Sequence, residues 1–366
     1  MKIIHIISHL GGGGKERRLI QLIKSQQKQT NAKHQIIILN PIIDYPEIRT
    51  YAQVTVLNNS SRWELIKSLR KTIENTKPDI IHDWTGIPTI IFTLLYYKRS
   101  FKYKYVEGFI ADGNPIISLR LRIVYKIAFK KADAIVSNSH AGLIAKHAIT
   151  KKSYVIYNGF DFDRIKYIND QQISNIRREL DIPNQQYIIS MIARLDFAKD
   201  WETFLKVAQQ IQSIRTDIQF LAIGKGPRLN ELTMLSNQMK LQNIKFVGFR
   251  SDVERIISAS RITLLLTNNQ VHAEGISNSI MESMAAGIPV IASEGGGTSE
   301  IISNGNDGYI IQPQDHFTAS NHIINLLNDP NLYNRMSNAA KEKIKTKFLL
   351  KDMANKYINL YKSLTE

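Results

Sequence analysis

Lys2-Ile3-Ile4-His5-Ile6-Ile7-Ser8-His9-Leu10-Gly11-Gly12-Gly13-Gly14 opens the chain, and Glu16–Gln27 follows with a helical pattern of apolar residues. An apolar run too short for a helix, then glycines, then a helix reads as strand, close-approach turn and crossover. The same order recurs along the chain. Strands are expected at Lys2–Ser8, Gln35–Leu39, Val54–Leu57, Asp79–His82, Lys104–Ile110 and Ala134–Val136. Helices are expected at Glu16–Gln27, Arg62–Glu74, Ile116–Lys131 and His140–Ala148. Short apolar strands alternating with helices make βαβ units and a parallel sheet.

The second half repeats the rhythm. Strands fit Tyr187–Ile192, Gln219–Ile223, Lys245–Val247, Thr263–Leu266, Pro289–Ala292 and Gly308–Ile311. Helices fit Trp201–Ile214, Arg228–Met239, Val253–Ser258, Ser277–Ala286, His316–Leu327, Asn331–Lys347 and Lys351–Ser363. The turn signal Asn158-Gly159 separates the halves. The expected fold is therefore α/β, with two doubly wound Rossmann-like domains whose strand ends face a cleft. Residues 1–160 form one domain, residues 161–350 the other, and a helix at about 351–366 crosses back to the first.

The 366 residues suffice for two domains. There is no cysteine, which excludes disulfides, thiolate metal sites and a cysteine nucleophile. Apolar residues make up 43% and charged residues 22%, an ordinary globular mix. The stretch Ile87–Tyr97 is too short to span a bilayer. The start lacks the long apolar region and cleavage site of a signal peptide, so a cytoplasmic location is expected. Charge is uneven. Residues 1–160 hold 25 Lys and Arg against 10 Asp and Glu, which is +15 of the total +16. That asymmetry points to an anionic partner for the first domain.

Several motifs fail. Gly11-Gly12-Gly13-Gly14-Lys15 lacks the earlier Gly of a P-loop, and Glu16 stands where Ser or Thr is needed. Asp161-Phe162-Asp163 is too short and too near the domain boundary to carry a metal site. His5 and His9 read as polar loop histidines and not as a metal pair.

Four features carry chemistry. Gly11–Gly14 lets backbone approach a ligand, and the helix start after it offers N–H groups to an anion. Arg194 and Lys199, in the loop Ala193–Lys199, suit a diphosphate. Ile223-Gly224-Lys225-Gly226-Pro227 is a tight turn ending a strand. The fourth is His272-Ala273-Glu274-Gly275-Ile276-Ser277-Asn278-Ser279-Ile280-Met281-Glu282, then a helix, a Gly stop and a strand. Glu274 and Glu282 are eight apart, about 12 Å along a helix. The carboxylates suit ligand hydroxyls, and the helix-start N–H groups of Gly275, Ile276, Ser277 and Asn278 suit a charged centre. Neither Glu282 nor Arg194 is expected in a core.

These residues resemble the family-4, retaining, nucleotide-sugar glycosyltransferases of GT-B fold, over nearly the whole chain and most strongly from Asn158 to Gln312. The resemblance implies that Glu274 contacts the donor sugar and Glu282 the ribose, while Arg194 and Lys199 hold the diphosphate. It implies that Gly12 and Gly13 close on the donor, that Gly248, Phe249 and Arg250 border the base, and that Glu300 lies near the donor. It also implies transfer of a hexose to an acceptor hydroxyl, in cell-surface polysaccharide or glycolipid synthesis, with a UDP-sugar favoured and no metal or other cofactor. One departure stands out. The segment Val106–Gly113 lacks the His that many members carry, and leaves Asp112 or Glu107 for an acceptor-side role. The acceptor is expected to be a glycan or lipid-linked. A sugar-nucleotide epimerase would share the cleft. A nucleic-acid-binding protein would explain only the charge and lacks any recognition motif. The helix Ile116–Lys131 is basic and amphipathic, which suits peripheral docking on the inner, anionic face of a membrane. Its apolar face would otherwise pack on the first sheet.

Overall fold

The computed structural model describes residues 1–57, 61–116 and 118–366. The chain forms two compact units, Met1–Gly159 with Leu350–Glu366, and Phe160–Leu349.

In the first unit seven parallel strands are β1 (Lys2–Ile7), β2 (Lys33–Ile38), β3 (Gln53–Val56), β4 (Ile80–Asp83), β5 (Lys104–Ile110), β6 (Ala134–Ser137) and β7 (Ser153–Val155). Their order is β3-β2-β1-β4-β5-β6-β7. The helices are α1 (Gly14–Gln27), α2 (Arg62–Thr76), α3 (Pro88–Phe101), α4 (Leu119–Lys131) and α5 (His140–Ala145). Starts are set by side chains: Ser61, Ser118 and Ser139 each accept a backbone N–H one turn ahead, which satisfies an otherwise orphaned donor. Sequence periodicity misses β7 and α3. The stretch from Pro88 lies in α3, which is buried on one side by Ile90, Ile91 and Leu94. Helix α4 begins three residues later than expected, at Leu119, and residue 117 of the expected span lies outside the described residues.

The C-terminal helix, Leu350–Thr365, packs on α1 and belongs to this unit. It brings Tyr357 and Tyr361 into a buried polar cluster that pattern reading does not reveal. Arg18, on the inner face of α1, donates to the Tyr357 hydroxyl and to the Ile156 carbonyl. His82 Nδ1 and the Tyr361 hydroxyl are 2.6 Å apart. Trp84 Nε1 donates to His5 Nδ1 at 3.3 Å, and His5 Nε2 lies 3.1 Å from His34 Nδ1. His5 is thus a fully buried strand residue and not a loop histidine. The bonds from Arg18 and His82 to the two tyrosines favour one arrangement of the helix on the sheet, while Arg18 Nε and Nη1, His34 Nε2 and His82 Nε2 stay buried without a partner among the described residues.

The second unit has six parallel strands: β8 (Tyr187–Ile192), β9 (Ile218–Ile223), β10 (Ile244–Gly248), β11 (Ile262–Leu265), β12 (Val290–Ser293) and β13 (Tyr309–Ile311). The order is β10-β9-β8-β11-β12-β13. Its helices are α6 (Asp170–Glu179), α7 (Trp201–Gln212), α8 (Leu229–Gln238), α9 (Val253–Ala259), α10 (Asn278–Ala285), α11 (Thr298–Ile301), α12 (His316–Asn328) and α13 (Pro330–Lys347). Both sheets are α/β, Rossmann-like and doubly wound. In each, strand order reverses once, beside β1 and β4 in the first unit and beside β8 and β11 in the second. Ligands of such sheets bind at the carboxyl ends of the strands flanking that reversal.

Gly108 shows how tightly the first sheet is packed: a Cβ there would run into the imidazole of His82. Gly108→Ala is expected to cost roughly 1–3 kcal/mol of stability in denaturant melts. Gly12→Ala, whose Cβ would meet only the Asp44 carboxylate at 3.5 Å, should leave the midpoint unchanged.

Candidate functional site

The reversal in the second sheet gathers the residues of interest. The loop after β8 carries Arg194 and Lys199, and the loop after β11 runs from Thr267 to Glu274. Lys199 and Thr267 are bridged through their backbones, which draws the loops together. Lys199 Nζ is ion-paired with Glu274. The Thr267 hydroxyl donates to Glu274 Oε1 at 3.2 Å, and His272 Nε2 lies 3.8 Å from Oε2. Burial alone raises the Glu274 pKa. The ammonium of Lys199 and the His272 imidazole outweigh it, and hold the carboxyl well below the usual range. Glu274 is therefore a carboxylate at any physiological pH. Lys199 is expected to hold a diphosphate together with Arg194, and it also sits on Glu274, so an anion there would meet a lysine already shared with a carboxylate.

Glycines hold this corner together. A Cβ on Gly296, at φ +54, would strike the backbone of Glu274, and Gly297 N donates to the Glu274 carbonyl at 2.8 Å. The glycine run after β12 is thus the seat of Glu274. On the other side, Gly224 and Gly226 press against the carbonyls of Ala193 and Leu195. Gly224 N donates to the Gly248 carbonyl at 2.9 Å. The turn after β9 and the segment Gly248–Arg250 therefore brace the Arg194 loop. Trp201 Nε1 donates to the Arg194 carbonyl at 2.9 Å, which fixes the backbone. The Arg194 side chain is 75% exposed, and among the described residues its ion pair is with Asp196 at 3.1 Å, so it is accessible to a ligand.

Glu274 precedes α10 and is not on it, so the two glutamates do not share a helix. Glu282 lies inside α10 and is 3% exposed, contrary to the expected surface position. Its Oε1 accepts from Arg164 at 2.9 Å, and Arg164 is also bonded to Glu254. Glu282→Ala would strand part of a buried ion network, which costs stability as well as any binding role. The first turn of α10 has no side-chain cap from Ser277, and Gly275, Ile276 and Ser277 are buried just before it while Asn278 is half-buried. The positive end of the helix dipole there suits an anion. Arg250 is spoken for by Asp252, at 2.8 Å through two nitrogens, and by Glu179. Phe249 is exposed beneath the Lys225 ammonium, 4.9 Å from its ring centre. Glu300 is half-buried in α11 beyond Gly297.

In the first unit, the equivalent reversal carries the Gly11–Gly14 loop. Gly11 N donates to His9 Nδ1 at 3.0 Å. Glu16, almost wholly buried, folds its carboxylate back toward Gly13, so the start of α1 already has an acidic group beside it. Asp112 is bound to Lys146 at 3.0 Å, and the same lysine donates to the Asn114 carbonyl. Glu107 is fully buried and accepts from the Tyr105 hydroxyl at 2.6 Å. It stands beside Asp83 on the neighbouring strand. Burial pushes the Asp83 carboxyl up to about 6, against two hydrogen bonds from Thr85. Burial and then the Asp83 charge raise Glu107 further. A cavity of about 440 Å³ lies at the other end of this sheet, against Lys2, Lys33, His34 and Thr76. It is away from the carboxyl ends where ligands of such sheets bind.

Residues 172–343 match the family model described as Glycosyl transferases group 1. N-acetyl-alpha-D-glucosaminyl L-malate synthase of Bacillus anthracis is 22% identical over 81% of this chain and 78% of its own length. The Escherichia coli UDP-Gal:alpha-D-GlcNAc-diphosphoundecaprenol alpha-1,3-galactosyltransferase is 24% identical over 88% and 86%. Anabaena HepE, solved with UDP-glucose, superposes with a TM-score of 0.86 at 20% identity, over 99% of this chain and 100% of that one. The fold is that of GT-B glycosyltransferases such as HepE, and segment 172–343 is similar to the group 1 domain.

The buried acid pair gives a pH test. A carboxyl whose folded pKa is raised favours folding below its unfolded pKa of about 4 and loses that contribution as pH rises through the folded value. The stability of Glu107→Gln relative to the unaltered protein should therefore rise steadily from about pH 5 to pH 8, read from denaturation midpoints.

Proposed function

We propose that the chain is a retaining glycosyltransferase that moves a hexose from a nucleoside-diphosphate sugar, with UDP as the favoured carrier, to an acceptor hydroxyl. The observation that carries this reading is the Lys199–Glu274 pair at the strand-order reversal, with accessible Arg194 on one side and the uncapped start of α10 on the other. A nucleoside diphosphate sugar has a sugar rich in hydroxyls and a linker rich in negative charge. Carboxylate Glu274 is suited to accept from the hydroxyls, and Arg194, Lys199 and the N–H groups of α10 to hold the diphosphate.

In the transfer, the bond from the anomeric carbon to the β-phosphate oxygen breaks, and its electron pair leaves with the diphosphate. Charge grows on that oxygen. Arg194 and Lys199 stand where fixed positive charge lowers the energy of that change. Lys199 stays charged because Glu274 holds it there. The acceptor oxygen bonds to the anomeric carbon from the face the diphosphate leaves, and its proton passes to the departing phosphate oxygen. No second protein nucleophile enters, so retention follows from attack on the leaving face. The charges are supplied by Arg, Lys and helix N–H groups, which is why the reading includes no metal and no other cofactor. Gly12, Gly13, Gly248, Phe249, Arg250, Glu282 and Glu300 belong to it as donor-site residues, and Asp112 as an acceptor-side group. The acceptor is a glycan or a lipid-linked sugar, like the acceptor named for the E. coli relative.

Arg194 is the clean probe, because its exposed side chain can be removed without opening the core. Arg194→Ala should lower turnover roughly 100-fold with an unchanged melting temperature. Near-unaltered turnover would sink the diphosphate assignment. Incubation with EDTA should leave most activity. Complete loss restored by manganese would overturn the metal-free reading and return attention to Asp161 and Asp163. Donor consumption that needs acceptor, with the product anomer read by NMR, separates transfer from epimerisation. A thermal-shift comparison of UDP-, GDP- and ADP-sugars tests the carrier.

A further inference from the structure

Helix α4 presents to solvent an apolar ridge that its own domain leaves bare. Leu119, Ile123 and Ile127 recur every four residues, which puts them in one row. They are 72%, 56% and 39% exposed. The inner side of the helix is made by Val124, Ala128 and Phe129, and Val124 and Ala128 pack with Ile91 of α3. The alternative, that this apolar row packs on the sheet, is not what the structure has: the helix has two apolar faces, and α3 and the sheet take the other one. Helix α3 adds Phe92 and Tyr96, 45% and 72% exposed and again four residues apart.

Charge surrounds the ridge. Helix α4 contains Arg120, Arg122, Lys126, Lys130 and Lys131 and no acidic residue. Arg122 is engaged with the Ile116 carbonyl and Lys98 of α3 with Asp133. Among the described residues, Arg99, Lys102, Arg120, Lys126, Lys130 and Lys131 have no ion-pair partner. At 100° per residue, Arg120 and Lys131 fall on one side of the row and Lys126 on the other, with Lys130 beside it.

We propose that the α3–α4 face docks on an anionic lipid bilayer, with Leu119, Ile123 and Ile127 entering the headgroup–acyl boundary and the flanking cations binding lipid phosphates. The charge complementarity selects this occupant. A convex row of aliphatic side chains between rows of cations matches an interface that is apolar below and negative above. Nucleic acid would leave the aliphatic row without a partner, since its readers stack bases on aromatic or guanidinium planes. No helix among the described residues is long and apolar enough to cross a membrane, so contact would be peripheral. The inference goes beyond the transfer reaction and does not rest on it.

The test is co-sedimentation of the full chain with vesicles of phosphatidylcholine, with and without phosphatidylglycerol. The protein should pellet with the anionic vesicles and stay in solution with the neutral ones. Arg120→Glu/Lys126→Glu/Lys130→Glu should lower partitioning about 100-fold or more. Leu119→Ser/Ile123→Ser/Ile127→Ser should retain binding at low salt and lose it at high salt, where charge is screened. Both variants alter only exposed positions, and an unchanged melting temperature verifies that they are folded. Equal pelleting on both vesicle types, or no effect of either triple change, would overturn the proposal. So would concentration-dependent dimers that vanish in the serine variant without vesicle binding, or RNA competing for the protein while vesicles do not.

Discussion

Parallel strands can offer ligand-binding loops only at their carboxyl ends, and those loops part only where strand order reverses. The second unit obeys that constraint at β8 and β11, and everything chemical in it follows. The reversal sets Lys199 and Glu274 face to face, and the pair then dictates the backbone around it. Gly296 has to be a glycine because the Glu274 backbone occupies the space of a side chain. Gly224 and Gly226 have to be glycines because the Arg194 loop is pressed against them. A buried ion pair is weak evidence for stability, since desolvation offsets much of its attraction. Its position, with an accessible arginine and the start of α10 in the same unit, fits the anionic ligand proposed above.

The first unit solves a different problem. The chain leaves it at Gly159 and returns at Leu350, so its last helix has to find the right place on a sheet made almost wholly of earlier residues. An apolar helix face alone would permit sliding. The Arg18–Tyr357 and His82–Tyr361 bonds do not, because a shift of one turn would leave buried donors and acceptors unpaired. The three buried histidines are held neutral by the same burial. His34 is lowered to about 4, and His5 and His82 lie well below their usual range, with neighbouring imidazoles or Arg18 adding to the effect.

Much of this architecture was legible in the sequence, because parallel strands buried on both faces write continuous apolar runs between glycines. The strands flanking both reversals were read to within two residues. What escaped has physical reasons. Helix α3 is apolar over much of its surface, with Phe92 and Tyr96 exposed, so its periodicity does not stand out. Strand β7 is only three residues long at a sheet edge. At the site, residue types were readable but their engagements were not. Glu282 looked like a surface glutamate because its partner Arg164 is 118 positions away. Lys199 looked free because Glu274 meets it across 75 positions. The histidine cluster gave no signal, since His5, His34 and His82 come from three strands that only the fold makes neighbours.

The uneven charge can now be assigned to places. In the second unit acids match cations in number, and Arg164, Arg215, Arg228 and Arg250 each hold one or more carboxylates. The first unit has too few acids for such pairing, and two of them, Asp83 and Glu107, are buried beside each other where raised pKa values weaken them as counter-charges. The surplus cations therefore remain at the surface. They are not spread evenly, since α4 has five and no acid, around a row of exposed aliphatics. Solubility alone would explain the charges but not the aliphatics, which cost free energy in water. A surface that keeps both fits the proposed docking on a partner that is negative and apolar at once.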